Sequence, residues 1–462
     1  MNDKALVRIG LLNREVRLTA AQALTETMKA GMARKKAEQT LRRVVADPAP
    51  YSTDPIWGPL ARVLERPGGS DRKGAEAPFF VWGQDLDREA MAQMEEACRL
   101  PVAVRGALLP DVHVGYGLPI GGVLATRGAV IPYAVGMDIA CRMRLSVLDG
   151  NPKRLDSDRE ILIQALESGT RFGVGGTFSP PHDHPVMDRD WDLSPVLKKN
   201  KDRAWQQLGT SGAGNHFAEF GFLEAPEGLG TVEPGLYLAL LTHSGSRGTG
   251  GEVATHYSRL AARLRPGSGR LAWLHMDRAE GREYWAAMAL MGHYAAANHE
   301  LIHRHVTELA GCRIRATVEN HHNFAWRERV EGEGELIVHR KGATPAHAGE
   351  LGIMPGTMVS PAHVVEGLGN PASLWSAAHG AGRRMSRKEA ARKFSMHRIS
   401  ELLDKHGVTV LSAGPDEGPD AYKDIDEVVS AQANLVRSVA RFYPRIVKMA
   451  GERRAWSFRS GS

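Results

Sequence analysis

The segment Gly136-Met137-Asp138-Ile139-Ala140-Cys141 sets a carboxylate and a thiol three residues apart beside a glycine turn. Such a pair can converge on one metal ion, and a deprotonated thiol is soft enough to bridge two. A buried free cysteine, with Asp138 capping the next element, fits the same six residues. Three histidine segments add donors. Gly212-Ala213-Gly214-Asn215-His216 presents a histidine just after a glycine-rich turn. Thr242-His243-Ser244-Gly245-Ser246-Arg247-Gly248 follows an apolar run, with an arginine and phosphate-friendly backbone behind it. His321-His322-Asn323 supplies the third. Three histidines at strand or turn boundaries, with Asp138 and Cys141 available, fit a binuclear metal site.

A second constellation lies later in the chain. Arg340-Lys341-Gly342-Ala343-Thr344 is basic, Met354-Pro355-Gly356-Thr357-Met358 is a tight turn, and Ala378-His379-Gly380-Ala381-Gly382-Arg383-Arg384 follows. A histidine between glycines and arginines can attack phosphorus while amides and guanidinium groups hold the phosphate oxygens. An anion-binding loop whose histidine only donates a hydrogen bond fits the same residues, and both readings stand. His299-Glu300-Leu301-Ile302-His303 matches H-E-x-x-H on a predicted helix. It lies in a histidine-rich stretch with His293 and His305, and no third ligand follows at a recognised spacing. It is read as solvated or partly buried helix surface, not as a zinc protease site.

The elements that must position these residues change character along the chain. Residues 1–75 read as a helical extension. Thr19 and Gln22 form a capping-box signature ahead of Leu24, Met28 and Met32; a basic helix runs from Arg34 to Ala46, and a short one from Pro59 to Leu64. A helical hairpin is the simpler reading than a DNA-reading helix-turn-helix, because nothing fixes a recognition helix. Residues 66–76 read as a linker. From Phe79, short apolar runs alternate with glycine clusters: Gly115 to Val123, Val130 to Gly136, and Leu236 to Leu241. These suit buried strands and tight turns. Helices are predicted over 283–309, 394–405 and 424–443. Without regular βαβ alternation, the expected class is α+β, a single large mixed-sheet catalytic domain over 76–462 with surrounding helices.

The 462 residues carry a net charge of +6, an excess of cations that suits a polyanionic partner. Three cysteines rule out a disulfide framework. No run of eighteen apolar residues marks a membrane span, and Met1-Asn2-Asp3-Lys4 opens no signal-peptide core, so a cytoplasmic location is expected.

The motifs, in order, resemble the RtcB family of RNA ligases from about Phe79 to Val447. Pro110-Asp111-Val112-His113, Gly115 to Gly122, Gly136 to Cys141 and Gly214-Asn215-His216-Phe217 carry the first half. His243 to Gly248, His322-Asn323, Arg340 to Thr344, Gly369-Asn370-Pro371, His379 to Ser386 and Ala421-Tyr422-Lys423-Asp424 carry the second. The resemblance implies a GTP- and manganese-dependent enzyme that joins an RNA 3′-phosphate or 2′,3′-cyclic phosphate to a 5′-hydroxyl, in RNA repair or tRNA splicing. It implies that His379 is the nucleophile and carries GMP. Asp138, Cys141 and His216 would hold one manganese ion, and Cys141, His243 and His322 the other. Asn215, His216, Glu219, His322, Asn323, Pro355, Gly356, Thr357, Met358, Gly380, Ala381, Gly382 and Tyr422 would hold the nucleotide, Tyr422 against guanine. An accessory activating protein is a further partner expected from the resemblance.

Thr357 stands where the family has serine, Pro345 replaces a common arginine, and Lys448-Met449-Ala450-Gly451 lies near the place of a terminal guanosine-contacting lysine. For RNA, the sequence offers Arg437, Arg441, Arg445, Lys448, Arg453, Arg454 and Arg459 with Phe442, Tyr443, Trp456 and Phe458 interleaved. Two competing functions use the same residues: a binuclear metallohydrolase of RNA phosphate ends, in which His379 binds rather than attacks, and a catalytically quiet RNA-end binding protein. Cys98 and Cys312 are left as core residues.

Overall fold

The apolar run at 236–241 lies inside a strand, Gly235–Ser244, near the middle of a nine-stranded sheet. The computed structural model describes Leu6 and residues 14–65, 76–84 and 86–453, and its chain divides into two units, Met1–Lys73 and Gly74–Ser462. In the second unit the main path of that sheet runs Leu351–Met354, Ala362–Gly367, Val436–Met449, Phe217–Ala225, Gly235–Ser244, Arg142–Leu148 and Ile314–His321. Each strand is antiparallel to the next. Thr409–Ala413 joins the end of Val436–Met449 in parallel, and Glu452–Arg453 pairs with it in turn. A five-stranded sheet runs Phe79–Val81, Ala103–His113, Ile120–Thr126, Gly334–Lys341 and Phe324–Val330, and only its first pair is parallel. Mostly antiparallel sheets, with helices outside any strand alternation, make this an α+β fold.

Helices Pro195–Gln207, Arg247–Leu264 and Ala279–Leu309 share the largest apolar core, where Tyr257, Tyr284, Met288 and Tyr294 are fully buried. Arg159–Gly169 packs Leu162 and Leu166 with Ile302 and Val306 of the long helix and with Phe220 of the sheet. Each fully buried large side chain contributes about 1.5–3 kcal/mol, so this packing holds the sheet against its helices.

Register carries the consequence for function. Met143 lies opposite His243, His243 lies opposite Phe217, and Arg142 lies opposite His321. Four adjacent strands therefore bring Cys141, His216, His243 and His322 to the same end of the sheet.

Three predicted elements differ. Residues 424–443 are not one helix: Ile425–Ser430 is helical, and Val436–Met449 is a strand flanked on both sides. Ladder bonds to two neighbours outweigh the weak helix propensity there, and Pro444 sits at a register irregularity, where its missing N–H is tolerated. The helix expected from Phe394 begins at Met396, because Ser395 caps it by accepting from the Arg398 amide. In the first unit Thr19 is not an N-cap. It lies within a helix, Arg14–Lys29, that already starts five residues earlier, since Arg14 to Leu18 are mostly good helix formers. That helix packs with Arg34–Ala46 and Gly58–Glu65 around Leu24, Leu41, Val44, Trp57 and Leu60. Most of the linker read at 66–76, like Arg454, Trp456, Phe458 and Arg459, falls outside the described residues.

Candidate active site

At the common end of the four strands, the Cys141 Sγ lies 3.3 Å from His216 Nε2 and 3.1 Å from His243 Nε2. His243 Nε2 lies 3.2 Å from His322 Nε2, and Asp138 Oδ2 lies 3.0 Å from His216 Nε2. The loop into Cys141 is tightly folded: Ala140 takes φ +55°, its amide donates to the Asn323 carbonyl at 2.9 Å, and the His322 amide donates back to the Cys141 carbonyl at 2.9 Å. Asp138 is aimed by the amide and hydroxyl of Ser246, at 2.9 and 3.2 Å. Its close approach needs Gly245, where a Cβ would fall 2.3 Å from the carboxylate.

The donor chemistry fits a divalent cation. His243 donates from Nδ1 to the Asn215 carbonyl, 3.0 Å away, which leaves the Nε2 lone pair facing the thiol and His322. At most one proton can lie between each such pair, whereas a cation would satisfy all of them. Burial pushes His243 down to about 3 and lowers His216 and His322 as well, so all three imidazoles are in the neutral form that ligates metals. Burial works against the charge on Asp138, but the hydrogen bond with His216 and the Arg247 charge hold it well below the usual carboxylate range. Burial and then Asp138 push the Cys141 thiol up, so cation binding there must release a proton.

The second constellation lies against the first. His379 follows the short strand Ser376–Ala378, and its ring centroid is 4.8 Å from that of His322. Its Nδ1 donates to Asp111 Oδ2 at 2.6 Å, and its amide donates to the same oxygen at 3.0 Å. Asp111 is fully buried in Ala103–His113. With Nδ1 committed, His379 presents the Nε2 lone pair, the arrangement that readies an imidazole for attack. The Gly382 turn presses on Asp111: a Cβ there would lie 2.2 Å from the Asp111 carbonyl oxygen. Asp111 appeared in the sequence only as part of a motif; a carboxylate at the end of an apolar run was its one signal.

A cavity of about 300 Å³ collects these groups. Asp138, Cys141, Asn215, His216, Glu219, His243, His322, Asn323, Pro355 to Met358, His379 to Gly382 and Tyr422 all line it, so every residue singled out for metal, nucleotide or attack lies on one cavity. Glu219 is buried and its carboxyl is raised to about 8, so at neutral pH it can donate as well as accept. The Tyr422 hydroxyl donates to Glu417 and accepts from Arg383 at 2.9 Å, while the Arg383 guanidinium lies 4.8 Å from the ring centroid. The tyrosine ring is thereby fixed at the cavity wall.

Other residues took different places. Arg340 is fully buried and pairs with Glu328 at 2.8 Å, and Lys341 donates to the carbonyls of Tyr116 and Tyr133. Of that basic segment only Gly342 lines the cavity. His299 and His303 are not helix surface: both are fully buried, sharing the Thr242 hydroxyl at 3.0 and 2.8 Å, with Ser146 on the far side of His303. Lys448 donates to the Leu166 and Glu167 carbonyls, each 3.2 Å away, while its strand neighbours Val447 and Met449 line the cavity. Period-two alternation thus turns the lysine away from the cavity. The late cationic stretch is also largely spent: Arg437 pairs with Glu227 and Glu366, Arg441 with Asp426, and Arg445 lies over Phe222. Phe442 is buried and Tyr443 stacks on Phe222. Cys98 and Cys312 are buried core residues. No helix among the described residues is long and apolar enough to cross a membrane.

Comparison with known proteins agrees with this arrangement. The family model described as tRNA-splicing ligase RtcB matches residues 93–188 and 183–450. RNA-splicing ligase RtcB of Mycobacterium tuberculosis is 34% identical, over 76% of this chain and 98% of its own length. RNA-splicing ligase RtcB of Escherichia coli K12 is 30% identical over 79% and 95%. tRNA-splicing ligase RtcB of Archaeoglobus fulgidus is 31% identical over 78% and 91%. A match that spans most of the chain and the whole cavity places this protein in the RtcB family.

Proposed function

We propose that this chain is an RNA ligase that joins an RNA 3′-phosphate, or a 2′,3′-cyclic phosphate first opened by water, to a 5′-hydroxyl, in RNA repair or tRNA splicing, with GTP as co-substrate. The observation that carries the reading is His379: Asp111 holds its Nδ1, which leaves the Nε2 lone pair for attack, and the residue lines the cavity that also gathers the metal donors. The printed names of the relatives supply the reaction class.

His379 Nε2 attacks the α-phosphorus of GTP, the bond to the bridging oxygen breaks, and pyrophosphate leaves. Asp111 stabilises the positive charge that the imidazole gains in this step. An oxygen of the RNA 3′-phosphate then attacks the same phosphorus, and the P–N bond breaks to return the electron pair to His379. Finally the 5′-hydroxyl oxygen attacks the RNA phosphorus, loses its proton, and GMP leaves. Asp138, Cys141 and His216 would hold one manganese ion and Cys141, His243 and His322 the other, and two such cations stabilise charge on the attacking and leaving oxygens. Asn215, Glu219, Asn323, the Pro355–Met358 turn and the Gly380–Gly382 turn would hold the nucleotide, with Tyr422 against the base.

The test is to supply RNA carrying a labelled 3′-terminal phosphate, a second RNA with a 5′-hydroxyl, GTP and manganese. The label is expected in a longer product, resistant to phosphatase. Release of the label as inorganic phosphate, without a longer product, would instead assign the site to a metallohydrolase.

A further inference from the structure

The net charge of the protein is not spread over its two units. Residues 1–73 hold 14 of the 59 Lys and Arg but only 8 of the 53 Asp and Glu, a formal +6. The 389 residues that remain hold 45 of each and are formally neutral. The entire cationic excess therefore belongs to the small helical unit, which lies N-terminal to the segment the family match covers.

Within that unit the charge is concentrated on one helix. Arg34–Ala46 buries Ala37, Leu41 and Val44 against its neighbours and exposes Lys35, Lys36, Gln39, Arg42 and Arg43. Lys35 with Arg42, and Lys36 with Arg43, are seven residues apart, so two pairs of cations lie about 10 Å apart along one face. Glu38 is engaged by Arg34 at 3.1 Å, and Glu26 by Lys29 at 3.0 Å. Among the described residues none of the four exposed cations has a carboxylate within ion-pair distance. Arg437, Arg441 and Arg445 of the catalytic unit, by contrast, are paired with acids or laid over an aromatic ring. A cationic ridge without a carboxylate partner among the described residues is complementary to a run of phosphates.

We propose that the N-terminal unit is an RNA tether: the Lys35, Lys36, Arg42 and Arg43 face binds the phosphate backbone of the substrate RNA without reading its sequence or its ends. The identification of the polyanion as RNA rests on the ligase reading. The tether raises the occupancy of RNA on the protein and takes no part in chemistry at His379.

The test uses full-length protein and a fluorescent RNA of about twenty nucleotides with ends that cannot be ligated. Its affinity is measured across a range of salt for the wild type, for K35Q/K36Q/R42Q/R43Q, and for the charge-keeping K35R/K36R/R42K/R43K. Circular dichroism verifies that both variants keep their helices. The glutamine variant is expected to bind at least tenfold more weakly at low salt, with a log–log salt slope shallower by about two to three, from roughly 0.7 per lost phosphate contact. The charge-keeping variant is expected to bind like the wild type, and attachment of GMP to the protein is expected to be the same in all three. Unchanged affinity and slope in the glutamine variant would overturn the tether and leave the face to an acidic protein instead. Weak binding in the charge-keeping variant would equally overturn it. If no protein accepts GMP yet only the glutamine variant loses RNA, the ligase reading fails and the tether stands.

Discussion

One oxygen of Asp111 accepts both the Nδ1 proton and the backbone amide of His379, so a buried carboxylate sets the tautomer and the position of the imidazole. Asp111→Asn keeps the shape and can still accept from the amide, but it sets an amide group against Nδ1 and favours the wrong tautomer. Guanylylation is expected to slow on the order of a thousandfold, with metal content unchanged, as read by initial rates and metal analysis. Glu219 yields a second residue-scale prediction. Its folded-state value of about 8 exceeds the ordinary 4.5, so the native protein holds a proton that the unfolded chain releases between those values. Stability must therefore fall as pH rises through that window. Glu219→Gln removes the titration. In urea unfolding of metal-free protein, the variant is expected to match the wild type near pH 5 and to exceed it by a few kcal/mol near pH 8.5. A constant difference across pH would contradict the burial argument.

At the scale of elements, the metal donors converge because four neighbouring antiparallel strands end together, and because two loops fold closely enough to reach in. Gly245 is the clearest case, since any Cβ there meets the Asp138 carboxylate. Gly245→Ala is expected to push Asp138 aside, weaken manganese binding at the site proposed for it with Cys141 and His216 by tenfold or more, and leave the fold intact. Manganese titration with thermal melting checks both parts. The donor types were legible in the sequence because histidine and cysteine beside glycine turns are distinctive. Asp111 was not, because its role depends on two segments 268 residues apart in sequence meeting in space. The helix predicted over 424–443 gives way to strand from Val436 for a related reason: partners from 217–225 and 362–367 decide it, and local periodicity does not contain them. That one misreading turned paired strand arginines into an RNA surface. Lys448 lies beyond that predicted helix, and its facing follows from the strand's alternation, which turns it towards the Leu166 carbonyl. The burial of His299 and His303 was likewise invisible, since a helix between sheet and neighbouring helices buries more than one stripe.

At the scale of the whole molecule, the site residues and the net charge fall on different units. A formally neutral unit gathers the candidate metal donors and His379 on one cavity of about 300 Å³, and a small cationic unit carries the net charge. The fold class was readable from texture changes along the chain, while the distribution of charge over the units became meaningful once the boundary at Lys73 was known. The proposed ligase stands on covalent attachment of GMP at one nitrogen of His379. It is tested by incubating manganese-loaded protein with GTP labelled at the α-phosphate and locating the label. Acid-labile, alkali-stable label on His379 in the wild type, absent from His379→Ala, is the expected result. Label that persists in His379→Ala, or none in metal-loaded wild type that ligates RNA, would contradict the account.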